Sequence, residues 1–159
     1  MGDFEEGMKY WRDAGHVARR TLEAMKDELQ PGKTWHEIIE AAERFIHRHG
    51  GKPAFPGTIA VNNIAAHFTT EHTVSPPEGW EGDMVLQKGD LVKIDYGVHI
   101  KGHIGDNART FEVGNTNNHT EQIKAAREAR DAAIEMMHPG TPWHKAVSYT
   151  HLRAHETYR

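Results

Sequence analysis

Cysteine is absent from all 159 residues, which removes a disulfide framework, a thiolate zinc site and a cysteine nucleophile together. Long apolar runs are lacking as well. None approaches the roughly 20 residues that a bilayer-spanning helix needs, and the opening Met1-Gly2-Asp3-Phe4-Glu5-Glu6 is too polar for a signal peptide. Nor is there a surplus of positive charge. Nineteen Lys and Arg against 23 Asp and Glu leave a net charge of −4, the wrong sign for a phosphate-backbone partner. These absences lead to the expectation of a cytoplasmic chain that engages neither nucleic acid nor membrane. What is abundant is histidine, 13 residues in all, and imidazole is the commonest metal ligand. Many of these side chains, His36, His47, His49, His72 and His119 among them, sit among polar residues, as helix surfaces and loops would have them.

Periodicity predicts a long amphipathic helix over 4–29, with Tyr10, Ala14, Val17, Ala18, Thr21, Leu22, Met25 and Leu29 on its inner face. Pro31-Gly32 stops it. Thr34-Trp35-His36-Glu37 reads as a capping box opening a second helix to about residue 49. Residues 53–70 read as extended and loop-like, followed by a Pro/Gly-rich excursion over 75–82. Val92, Ile94, Tyr96, Val98 and Ile100 then alternate strictly, Lys101-Gly102 is a two-residue turn, and 103–113 returns as the second strand of a hairpin. A third helix is predicted over 120–137. Pro31-Gly32 through Trp35-His36 is echoed at Pro139-Gly140 through Trp143-His144, as though a helix–Pro-Gly–helix–hairpin unit began twice. The last 13 residues, 147–159, resemble a translated sequencing adapter and are expected to be a non-native tail.

The hairpin carries the chemistry. With Ile100 opposite His103, Asp95 lies opposite Ala108 and Asp106 opposite Gly97. Both carboxylates then project from the same face, as diagonal neighbours roughly 7–8 Å apart at their backbones. One more residue in the turn would put them on opposite faces. Two carboxylates so placed repel each other and lose solvation. A divalent pair bridged by one of them resolves this, and so does a shared proton; an Asp solvated at a strand end would avoid it. A second constellation is Asn62-Asn63-Ile64-Ala65-Ala66-His67-Phe68-Thr69. Small residues before His67 allow close backbone approach, and its ring could donate to a substrate or simply sit satisfied at a rim.

Together, Ala54-Phe55-Pro56, the Asn62–Thr69 block, Lys88-Gly89-Asp90-Leu91-Val92-Lys93-Ile94-Asp95-Tyr96-Gly97 and Gly102-His103-Ile104-Gly105-Asp106-Asn107-Ala108-Arg109-Thr110 resemble the methionine aminopeptidases. The likeness is to the type 2 branch of archaea and eukaryotes, and it runs from about Tyr10 to Trp143. It implies the α+β pita-bread fold of the creatinase/aminopeptidase group, two pseudo-symmetric halves around a dinuclear metal site. Residues 1–146 would be the N-terminal part of the catalytic domain. Asp95 would bind one metal, Asp106 would bridge two divalent ions (Co, Mn, Fe or Zn), and His67 would contact substrate near the scissile bond. Phe55 would line an apolar slot suited to a methionine thioether.

The implied reaction is hydrolytic removal of the initiator methionine from nascent chains, at the ribosome, when the second residue is small. The cations would stabilise the developing oxyanion. The full-length enzyme is expected to be a monomer. Three further ligands, a His and two Glu, are required C-terminal to these blocks, so the chain reads as an inactive N-terminal fragment. Half of a pseudo-symmetric sheet should also associate through its unpaired edge and uncovered face. The pattern departs from the family at Thr70, where Pro is usual. Two other readings keep the fold: a non-catalytic relative that binds protein or RNA, and a proline-directed aminopeptidase.

Overall fold

The computed structural model describes residues 2–70 and 84–148, with side chains from Phe4 onward. These residues belong to two compact units, the first extending to Thr116 and the second beginning at Asn117.

In the first unit, helix α1 (Gly2–Glu28) and helix α2 (Trp35–Arg48) lie on a four-stranded antiparallel sheet. The strands are β1 (Lys52–Pro53), β2 (Thr58–Val61), β3 (Leu91–Ile100) and β4 (His103–Glu112). Strand β3 is the spine: β4 pairs along one edge, and β1 and β2 share the other. The α1 positions predicted to face inward are buried, except Tyr10 at the rim. Thr34 caps α2 as the sequence foretold. Its Oγ1 accepts from the Glu37 amide at 3.2 Å, and its own amide donates to Glu37 Oε2 at 2.7 Å. Donation from the Thr34 amide, and from its hydroxyl at 2.9 Å, holds the Glu37 carboxyl below the usual carboxylate range.

The core forms between the helices and one face of β3. Val92, Ile94, Tyr96 and Val98 are fully buried there with Ile38, Ile46 and Trp35. Burial pushes the Tyr96 phenol far above its ordinary pKa. The helix α1 comes close enough to β4 that a Cβ on Gly105 would stand 2.5 Å from the Gly15 amide nitrogen. The β3–β4 turn has Lys101 at φ 49° and Gly102 at φ 83°. Two successive positive φ values match the right-handed twist of the flanking strands and fix a two-residue loop.

The extended stretch predicted for 53–70 contains β2 and the last residue of β1, two short strands that the sequence reading did not separate. The excursion at 75–82 lies outside the described residues, as does the predicted tail apart from Val147 and Ser148. In the second unit, α3 (Thr120–Glu135) ends two residues earlier than predicted, and residues 143–148 are helical.

Candidate functional site

Strand β3 presents its second face away from the helices. Lys93, Asp95, Gly97 and His99 point there, opposite Thr110, Ala108, Asp106 and Ile104 of β4. The register is the one the turn dictates: Ile100 pairs with His103, Asp95 with Ala108, and Asp106 with Gly97. Asp95 and Asp106 therefore share a face. Strand β2 extends this face, with Thr58 beside Asp95 and Ala60 beside Lys93.

The electrostatics are those of two carboxyl groups crowded on one face. Asp95 Oδ1 is buried and has no hydrogen-bond partner. Desolvation raises the Asp95 pKa, the Asp106 carboxylate raises it further by its charge and by a hydrogen bond, and His67 pulls it back. That pull places His67 within electrostatic reach of Asp95, although 28 residues separate them. Lys93, on the same face, has its ammonium pKa lowered by burial, and its Nζ donates to the Asn62 carbonyl at 2.7 Å.

Phe55 arrives from β1. The Ala54 amide donates to the Gly97 carbonyl at 2.8 Å, which delivers the next side chain onto β3. A Cβ added at Gly97 would stand 2.2 Å from Phe55 Cε1 and 2.6 Å from Cδ1. The ring thus rests on the one β3 residue with no side chain, directly across from Asp106. His67 sits exposed at the end of the segment after β2, in the left-handed region at φ 61°. Asp95, Asp106 and Phe55 thus share one face, and His67 is linked to it through its electrostatic effect on Asp95.

The sequence reading quoted Lys93, Asn62 and Gly97 within larger blocks and gave none of them a role of its own. Lys93 and Gly97 share the parity of Asp95 along β3 and could have been placed on its face. Asn62 gave no comparable signal, because its role depends on a contact 31 residues away.

The donor chemistry fits a divalent cation: two carboxylates on one face, one with a buried and unsatisfied oxygen, are hard oxygen ligands. Among the described residues, no group of three or more His, Asp or Glu is arranged to hold a metal. Asp95 and Asp106 would supply one wall of such a site.

Comparison with known proteins bears on the family and the fold. A methionine aminopeptidase of Thermococcus kodakarensis is 41% identical over 128 residues, covering 80% of this chain and 40% of that protein. The Clostridium perfringens methionine aminopeptidase is 35% identical over 127 residues, covering 75% of this chain and 47% of that protein. Among solved structures, methionine aminopeptidase from Rickettsia prowazekii superposes with a TM-score of 0.81 at 25% identity, over 96% of this chain and 61% of that one. Prolidase from Pyrococcus furiosus gives 0.78 at 26% identity, over 96% of this chain and 43% of that one. The chain spans about 40% of the length of the archaeal relative, and its helix-on-sheet architecture is that of the N-terminal part of the pita-bread fold. The pattern of metallopeptidase family M24 matches residues 9–156, and the chain belongs to that family.

Proposed function

We propose that the protein carrying this sequence is a methionine aminopeptidase of the type 2 branch, which removes the initiator methionine from nascent polypeptides when the second residue is small. Residues 1–146 form the N-terminal part of its catalytic domain. The observation that carries the reading is the Asp95–Asp106 pair on one hairpin face, with Asp95 Oδ1 buried and unsatisfied. Similarity to methionine aminopeptidases at 41% and 35% identity supports it.

Asp95 and Asp106 would hold the two divalent cations from one side. When bound, these cations polarise the scissile carbonyl and offset the negative charge that develops on its oxygen. The chain's own residues do the rest. Phe55, close against Gly97, gives the methionine side chain an apolar wall beside the carboxylates. His67, exposed and near Asp95, orients the substrate by donating from its ring to the backbone next to the scissile bond. The work is cytoplasmic, on chains emerging from the ribosome, by a monomer.

The similarity to prolidase keeps a proline-directed activity as the second reading. A panel of Met-Ala, Met-Gly, Met-Val and Xaa-Pro peptides, assayed with Co²⁺, Mn²⁺ or Fe²⁺ on the full-length gene product, separates the two. Methionine release that falls at least about a hundredfold in Asp106→Asn is expected. Cleavage confined to Xaa-Pro peptides would replace the reading. The 159 residues alone are expected to be inactive, since the two carboxylates brought together among the described residues are fewer than the three or so protein ligands each catalytic metal needs.

A further inference from the structure

The Lys93 ammonium makes a contact that the proposed chemistry does not use. Strand β2 ends at Val61, paired with Val92. The chain then turns at Asn62, which adopts a left-handed φ of 52°. Its amide still reaches back into the ladder, donating to the Leu91 carbonyl at 2.9 Å. Its side chain continues the ladder where the backbone leaves it: Oδ1 accepts from the Leu91 amide at 2.9 Å. The Asn62 Nδ2 in turn donates to Asp90 Oδ1 at 2.9 Å, and Asp90 Oδ2 accepts from the Gln87 amide at 2.7 Å. Asp90 is 8% exposed, so this link is held on the protein side.

The turn leaves the Asn62 carbonyl pointing out of the ladder, and Lys93 Nζ donates to it at 2.7 Å. From there the segment passes through Ile64, whose amide closes the turn on the Val61 carbonyl at 3.1 Å. It returns beside β2, where the Phe68 carbonyl accepts from the Ile59 amide at 2.8 Å and Thr69 Oγ1 donates to the Gly57 carbonyl at 2.8 Å. The span between the two anchors, Ala65, Ala66 and His67, is exposed. Its position relative to Asp95 is set by where the anchors hold its ends.

We infer that Lys93 is a positioning residue for His67: by gripping the Asn62 carbonyl, it ties the start of the His67 segment to the strand that bears Asp95. The inference rests on the proposed roles of His67 and Asp95. It adds that the interval between them is fixed by an ammonium two residues from Asp95 on the same face, with Asn62 and Asp90 as the rest of the clamp. An arginine at position 93 can make the same donation, and a methionine of similar length cannot.

The test compares the 159-residue chain with Lys93→Met, Lys93→Gln and Lys93→Arg by NMR. Without metal, amide exchange at Asn62, Ile64 and Leu91 should speed up about tenfold in the Met and Gln variants and return toward wild type in the Arg variant. Protection at Ile94 and Val98 should stay unchanged. With added Mn²⁺, paramagnetic broadening of the His67 ring protons, relative to that of the Gly97 amide, should fall about threefold in the Met and Gln variants and be kept in the Arg variant, because such broadening depends steeply on distance. A purely structural lysine would lower the melting temperature and leave that ratio unmoved. An unchanged ratio with unchanged exchange overturns the inference, and so does global unfolding of both Met and Gln variants. Should wild type show no Mn²⁺ broadening at Gly97, the metal reading fails; the exchange result then decides on its own, faster exchange restored by Arg supporting the clamp and unchanged exchange overturning it.

Discussion

Without a cation, Asp95 has a buried Oδ1 with no hydrogen-bond partner and the Asp106 charge beside it. Folding therefore favours its protonated form, and the sign of the pH dependence follows. The folded state binds this proton more tightly than the unfolded state does. Stability falls as pH rises from the ordinary aspartate value of 3.8 through the raised folded value, and is level above it. Asp95→Asn should remove that fall and stabilise the metal-free chain at pH 7. The gain is about 1 kcal/mol, the low end for an unsatisfied buried acceptor because the side chain is partly solvated, or roughly 2–4 °C in melting temperature. Thermal melts from pH 4 to 8 check it; a variant less stable than wild type at neutral pH would show that Asp95 is satisfied in the metal-free fold.

At the scale of elements, the β3–β4 hairpin decides which side chains meet. Its side-chain period is two, so one residue added to the turn moves every β4 side chain to the other face. Inserting a glycine between Lys101 and Gly102 should therefore separate Asp106 from Asp95 and lower Mn²⁺ affinity at least tenfold. Calorimetry on the insertion variant checks this, and undiminished affinity would show that the shared face is not what binds. The hairpin was legible in the sequence because Val92, Ile94, Tyr96, Val98 and Ile100 alternate without a break and a Gly marks the turn. The α2 boundary was legible because Thr34 and Glu37 advertise their reciprocal bonds. Strands β1 and β2 were not. They are two and four residues long, too short to show a period, and the first contains Pro53. The approach of His67 to Asp95, and of Phe55 to Gly97, follows from where those short strands pair on β3, which no local pattern encodes. The clamp on Asn62 escaped for the same reason.

At the scale of the whole molecule, association follows from the first unit, whose sheet has β4 as an edge strand among the described residues. Strand β4 pairs only with β3 there, and Ile104 on its open face is 51% exposed. A ten-residue edge strand beside exposed apolar surface is a template for pairing with another chain. Size-exclusion chromatography across a hundredfold range of concentration should show association of the 159-residue protein, and a concentration-independent monomer with a sharp thermal transition would contradict it. The central claim is that Asp95 and Asp106 converge to bind a divalent cation. Isothermal titration of Mn²⁺ into wild type, Asp95→Asn and Asp106→Asn tests it most directly. The account predicts saturable binding in wild type that either substitution weakens at least tenfold, and equal affinity in all three proteins would contradict it.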